Sequence, residues 1–258
     1  MKPLLCSLLF LFAFSLSAQA PVAVPIPKEP HHHLVLENSY VRVFRVSVPG
    51  HDATLLHQHD VPYLYVSLGP ADVINAVQGK PEAHLTMADG QIGYSRGGFA
   101  HIARTDAGSS FDNVTIELLR PQGEPRNLCE KIIDGPLNDC RSSGSSNLPA
   151  DSPLRALARA AISQKRLFET EEILVTSNSI SIQESYNESS AQPARLLVVE
   201  EGSELRVDVP GESSKSLGGG EVLWLESGTK WTIVTPGEHK ITRFLLVQFK
   251  DSVTGAGN

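Results

Sequence analysis

Along much of this chain, apolar and polar positions alternate in short runs. Val41, Val43, Val46 and Val48 are interleaved with Arg42, Arg45 and Ser47, and Val114, Ile116 and Leu118 with Thr115 and Glu117. Successive side chains of a strand point to opposite faces, so this two-residue rhythm predicts half-buried strands. Turn signals divide the pattern: Pro49-Gly50, Gly69-Pro70, Gly79-Lys80-Pro81, Asp89-Gly90, Gly97-Gly98 and Asp106-Ala107-Gly108. Ordered structure is expected from Leu34, with strands over 41–48, 55–59, 63–68, 72–77, 84–87, 91–95 and 111–119. Many short strands so closely spaced predict an all-β sandwich or barrel with antiparallel pairing, and nothing reads as a βαβ repeat.

The pattern then breaks and returns. Residues 121–167 hold two cysteines, the run Ser142-Ser143-Gly144-Ser145-Ser146 and a helix signal, so they are read as a connector. In the helix signal Ser152 is the cap and Pro153 lies in the first turn, with Leu154, Leu157, Ala158, Ala161 and Ile162 on one face. From 168 to 250 the earlier pattern recurs about 130 residues on. Leu36-Glu37 with Val41-Arg42-Val43 is echoed by Phe168-Glu169 with Ile173-Leu174-Val175, and Gly90 to Ser95 by Gly220 to Leu225. This predicts two related β units, 34–120 and 168–250, followed by a frayed tail at 251–258.

Composition adds a destination. An apolar run from Leu4 to Leu16 follows Lys2 and closes on Ala18-Gln19-Ala20, the pattern of a cleaved signal peptide over 1–20. The mature chain is expected in the periplasm or outside the cell, with no membrane-inserted segment. In that oxidising compartment Cys129 and Cys140 are expected to pair; two free buried cysteines are the alternative. The net charge of −7 comes without any Lys/Arg stripe, which argues against nucleic acid as a partner. Four prolines between 21 and 30 predict an extended lead-in, continued to residue 33 by His31-His32-His33. Three adjacent side chains cannot all face one point on a strand, so this tract is read as flexible or as a terminal lid.

The candidate chemistry lies in His57 and His59, two apart, and in His101. On a strand the first two rings share a face, and a third from another strand would complete a three-imidazole metal site with an open position. With nine histidines in the chain, a chance cluster is the competing reading.

These residues resemble the motifs of the cupin superfamily. Gly50, His57, His59 and Gly69 fill the first motif, except that the glutamate expected a few residues after His-x-His is missing, with Tyr63 or Leu64 near its place. Gly90, Gly98 and His101 fit the second, with Arg96 and Thr105 in its Pro and Asn positions. With the repeat, the chain resembles a bicupin: two jelly-roll barrels, the second degenerate. The resemblance implies His57, His59 and His101 as ligands of one divalent ion, whether iron, manganese, nickel, copper or zinc. Without a carboxylate ligand the ion keeps more effective charge and a position for water or substrate. Tyr63 is a candidate hydrogen-bond donor or proton carrier beside it. In the second unit Trp231 stands at the place of His101, and counting back from Gly202 puts the His-x-His places near Ser190 and Gln192. Three functions stay open: a metal enzyme acting on a small oxygen-bearing molecule, a non-catalytic binder of a small molecule or sugar, and a structural barrel without metal. A homodimer is the partner that cupin resemblance suggests.

Overall fold

The computed structural model describes residues 22–138, 162–181, 185–188, 192–236 and 241–250. The first half forms β1 (Val24–Pro25), β2 (His32–Glu37), β3 (Val41–Val48), β4 (His57–His59) and β5 (Tyr63–Ser67). It continues through β6 (Ala71–Val77), β7 (Ala83–Met87), β8 (Ile92–Ser95), β9 (Phe99–Arg104) and β10 (Phe111–Leu118). The second half forms β11 (Arg126–Asn127), β12 (Ile162–Glu169), β13 (Ile173–Ile180), β14 (Ser185–Glu188) and β15 (Arg195–Val199). It ends with β16 (Glu204–Asp208), β17 (Lys215–Gly218), β18 (Val222–Leu225), β19 (Trp231–Val234) and β20 (Thr242–Phe249).

These strands make four sheets in two pairs. The first pair has the orders β1-β4-β9-β6-β7 and β2-β3-β10-β5-β8; the second has β14-β19-β16-β17 and β11-β12-β13-β20-β15-β18. Apart from β1 and β11 the orders correspond strand for strand. All pairings are antiparallel except that of β1 with β4, which is parallel.

Strand alternation divides the side chains between two environments. On β5, Leu64 and Val66 face away from the first barrel's interior while Tyr63 and Tyr65 face into it; on β10, Val114, Ile116 and Leu118 face out while Asn113 and Thr115 face in. The outward apolar residues meet Phe168, Ile173, Val175, Leu196, Val198 and Val247 of the second half in one continuous core. The two sheet pairs are thus joined by an apolar seam of sheet on sheet. The second barrel's interior is a core of its own, with Leu197, Leu205, Trp231, Ile233, Phe244 and Leu246 buried together.

The structure differs from the sequence reading in four places. The proline-rich lead-in, expected to be extended but unpacked, is packed against the first barrel. It pairs with β4 as β1, turns through a short 3-10 segment (Ile26–Lys28) and buries Ile26 to 1% exposure. The histidine tract, read as flexible or as a terminal lid, runs into the sheet: His32 opens β2 and is 8% exposed. Only two of the three histidines lie on the strand: His31 sits in the turn before β2, His32 turns inward and His33 is exposed. Among the described residues there is no α-helix. The expected helix over 152–162 lies outside them except for Ile162, which begins β12. The second barrel therefore starts ahead of residue 168. Lastly, Glu188 pairs with Trp231 as His57 pairs with His101, so the place of His57 falls at Glu188, two residues before Ser190. The signal segment and the tail lie outside the described residues, as does Cys140; Cys129 is buried.

Candidate metal centre

Three strands deliver the histidines. β4 has only three residues, His57-Gln58-His59, and its alternation turns both imidazoles into the first barrel while Gln58 faces away. Antiparallel pairing sets His57 directly opposite His101 on β9 and His59 opposite Phe99. Gly97 makes this register possible. Its φ is +69°, and a Cβ there would lie 2.3 Å from the carbonyl oxygen of Val61. The next residue, Gly98, donates its N–H to the carbonyl of His59 at 2.6 Å and so starts β9 against β4.

The ring centroids of His57 and His101 are 4.4 Å apart, and those of His59 and His101 and of His57 and His59 are both 5.1 Å apart. A further ring joins them from the opposite sheet. His32 lies 4.8 Å from His57 and 6.2 Å from His59, and one ligand nitrogen from each of His32, His57 and His59 falls within 4.8 Å of the others. The sequence reading had set His32 aside. Its only legible signal was a histidine tract in the lead-in; nothing there showed that the chain crosses from one sheet to the other at this point.

Two of the three rings, His57 and His101, are oriented by what their other nitrogen does. Nδ1–H of His57 donates to the carbonyl of Leu55 at 2.9 Å, and Nδ1–H of His101 to Oδ1 of Asn75 at 2.6 Å. Oxygen acceptors there require the proton on Nδ1 and leave a lone pair on Nε2. Both Nε2 atoms are buried without a partner, as is Nδ1 of His59. Burial holds the three rings neutral by lowering their pKa values, to about 4 for His57, about 2 for His59 and about 3 for His101. Neutral imidazole is the form that binds metal. Buried polar atoms normally find a partner, and these three nitrogens have none. A divalent cation fits this donor set.

Tyr63 stacks on His59 with centroids 4.0 Å apart and planes at 22°, and its hydroxyl bonds Ser95. Burial pushes its pKa up to about 12, so at neutral pH it is a phenol that positions His59 and keeps its proton. The imidazoles open onto a cavity of about 290 Å³. Its walls are largely apolar and aromatic, with Val46, Tyr65, Leu85, Met87, Phe99 and Phe111, while Asn113 and Thr115 are polar positions on β10. No Asp, Glu, Lys or Arg lines it among the described residues. In the second barrel, Trp231 is 3% exposed and stacks on Tyr186 at 5.3 Å, with the Arg195 guanidinium 5.8 Å over its ring.

No protein-family model matches the sequence, and no curated protein is similar to it in sequence. Solved structures are similar in fold. AerE from Microcystis aeruginosa aligns over 86% of this chain and 99% of its own at 8% identity, with a TM-score of 0.56. Protein Ylba from E. coli, of family DUF861, aligns over 89% and 87% at 7% identity, with a TM-score of 0.58. A mutant of salicylate 1,2-dioxygenase from Pseudoaminobacter salicylatoxidans, in complex with gentisate, aligns over 88% and 76% at 11% identity, with a TM-score of 0.57. At such identities the likeness is one of fold. Strand order, paired sheets and these matches together give the chain an all-β, cupin-type jelly-roll fold.

Proposed function

We propose that this chain is an exported bicupin whose first barrel holds one divalent metal ion on His57, His59 and His101 and uses it to bind a small oxygen-bearing molecule. The observation that carries this reading is the set of three buried, unpartnered imidazole nitrogens in one cavity. Zinc, copper, iron and nickel all accept imidazole ligands, and manganese is the fifth candidate. When bound, such an ion polarises an oxygen of the molecule or activates water or dioxygen. The protein's own groups do the rest. Leu55 and Asn75 fix the His57 and His101 rings, Tyr63 fixes His59, and the apolar walls exclude water. Asn113 and Thr115 offer hydrogen bonds at a distance from the imidazoles.

A cavity of 290 Å³ without a charged side chain suits a small and mostly apolar guest. Any negative charge on that guest would have to be met at the metal. A neighbour in fold that binds gentisate supports a ligand of this size, and the second barrel, filled by its own side chains, is proposed as structural.

Titration of chelator-stripped, untagged protein with each of the five ions tests the reading. Saturable binding of one ion per chain is expected for at least one of them; no saturable binding of any would overturn it. Export is checked by sequencing the mature N-terminus, expected at Pro21, and retention of Met1 would contradict it. In the exported protein Cys129 is expected to pair with Cys140, leaving no reactive thiol in the denatured, unreduced mature chain; two would exclude the pairing.

A further inference from the structure

The cupin motif carries a glutamate shortly after its His-x-His, and this chain has none there. A carboxylate nevertheless approaches the site from another direction. Glu29 is 1% exposed and accepts three hydrogen bonds: from the backbone N–H of His31 at 2.9 Å, from that of Leu55 at 3.1 Å and from Nδ1 of His32 at 2.6 Å. A carboxylate that already accepts two backbone N–H bonds takes the third from Nδ1–H of His32, which leaves the lone pair of that ring on Nε2.

The segment carrying the pair is clamped on both sides. Before it, β1 adds to the edge beside β4, in register with His57 and Gln58. After it, β2 adds to β3 in the facing sheet, with His32 opposite Val46. Leu55, two residues ahead of β4, bonds Glu29, and the ring of His31 bonds the carbonyl of Ser47 at 2.9 Å. Among the described residues the second barrel, which lacks the imidazoles, has no strand corresponding to β1.

We propose that the Glu29–His32 pair takes the place of the missing carboxylate ligand. His32 joins His57, His59 and His101 as a fourth imidazole, and Glu29 supplies its negative charge one hydrogen bond further out. Neutral imidazoles alone would leave the ion's charge uncompensated in an apolar cavity; Glu29 offsets part of it one hydrogen bond beyond the His32 ring. The inference rests on the metal reading above and adds a residue set to it.

The test uses the full mature chain and Co²⁺ alone, with affinity measured by chelator competition and the visible absorption of the Co²⁺-loaded protein recorded. His32→Ala is expected to weaken binding and to change the absorption bands, which report the number and kind of ligands. Glu29→Gln keeps hydrogen-bond capacity, removes the charge, and is expected to weaken binding by about 10- to 100-fold, the usual range for a partner of a ligating histidine. His33→Ala, on an exposed position of the same strand, is expected to leave both readouts unchanged. Wild-type affinity and absorption in both H32A and E29Q would overturn the proposal while leaving the three-histidine site standing. Failure of the wild type to bind Co²⁺ or any of the five ions would overturn the metal reading and this inference with it. Should H32A not fold, E29Q decides alone: wild-type affinity and absorption there overturn the proposal.

Discussion

The first barrel and the second share strand order, pairing and turns, and differ in the residues those strands carry. At paired positions on β4 and β9 the first barrel has His57 and His101, where the second has Glu188 and Trp231 on β14 and β19. Around the imidazoles lies a cavity; around Trp231 lies a closed apolar core. One backbone plan therefore serves two purposes. Its hydrogen-bonded ladders and outward apolar faces form the seam, while the inward positions are free to carry either packing or chemistry. The first barrel forgoes some interior packing for its cavity, and the second barrel and seam supply a large share of the apolar burial.

Exchanging these contents should separate metal binding from stability. The largest expected effect is on metal. His57→Ala or His101→Ala should weaken binding in the ion titration by at least about 100-fold, while the metal-free protein loses about 1–3 kcal/mol of unfolding free energy, since each change removes a buried unpartnered nitrogen but also the ring's bond to Leu55 or Asn75. Wild-type affinity in either variant would mean the imidazoles do not act together. In the other barrel, Trp231→Ala should cost about 3–5 kcal/mol in denaturant unfolding, as expected for a large buried aromatic, with metal affinity unchanged in the protein that remains folded. Loss of affinity there would show that the second barrel shapes the site.

The seam makes a prediction about pH. Glu200, 8% exposed, lies across from Gly90 and Asp89 of the first barrel; burial, with a smaller contribution from the Asp89 charge, raises its pKa from an ordinary 4.5 to about 7. The folded state thus holds this proton more tightly than the unfolded chain does. Its stabilising contribution is present below about pH 4.5 and is lost as pH rises towards 7. The full change is on the order of 2–3 kcal/mol. Glu200→Gln should flatten stability between those pH values and make the protein more stable than wild type at pH 8. An unchanged slope in E200Q would exclude Glu200 as its source. A smaller effect is expected from Tyr63→Phe, which removes the bond to Ser95 and keeps the stacking on His59. It should cost about 1 kcal/mol of stability and leave metal bound.

The strands were legible because their period is two and their turns are rich in glycine and proline. The alternation on β3, β5 and β10 reads directly as two faces, though not which face meets the cavity and which the second barrel. His57 and His59 announced a shared face by spacing, His101 was the candidate third ring from another strand, and the cupin resemblance gave all three a place in its motifs. What stayed hidden depended on long-range crossing. Pro25 and Pro27 suggest an extended tether because proline lacks a donor, yet Val24 and Pro25 need only an edge and Ile26 only a gap to fill. Glu29 and His32, three residues apart, are ordinary polar residues until the chain passes between two sheets. The place of Glu188 was missed because it was counted from Gly202, across residues whose length differs between the two halves.

The most direct test of the account is the metal-to-protein ratio of the untagged, mature protein as isolated, measured beside the same preparation of His59→Ala. The account predicts close to one divalent transition metal per chain in the wild type and none above background in the variant. A wild-type protein that carries no metal and takes up none on addition, or a variant that carries as much as the wild type, would contradict it.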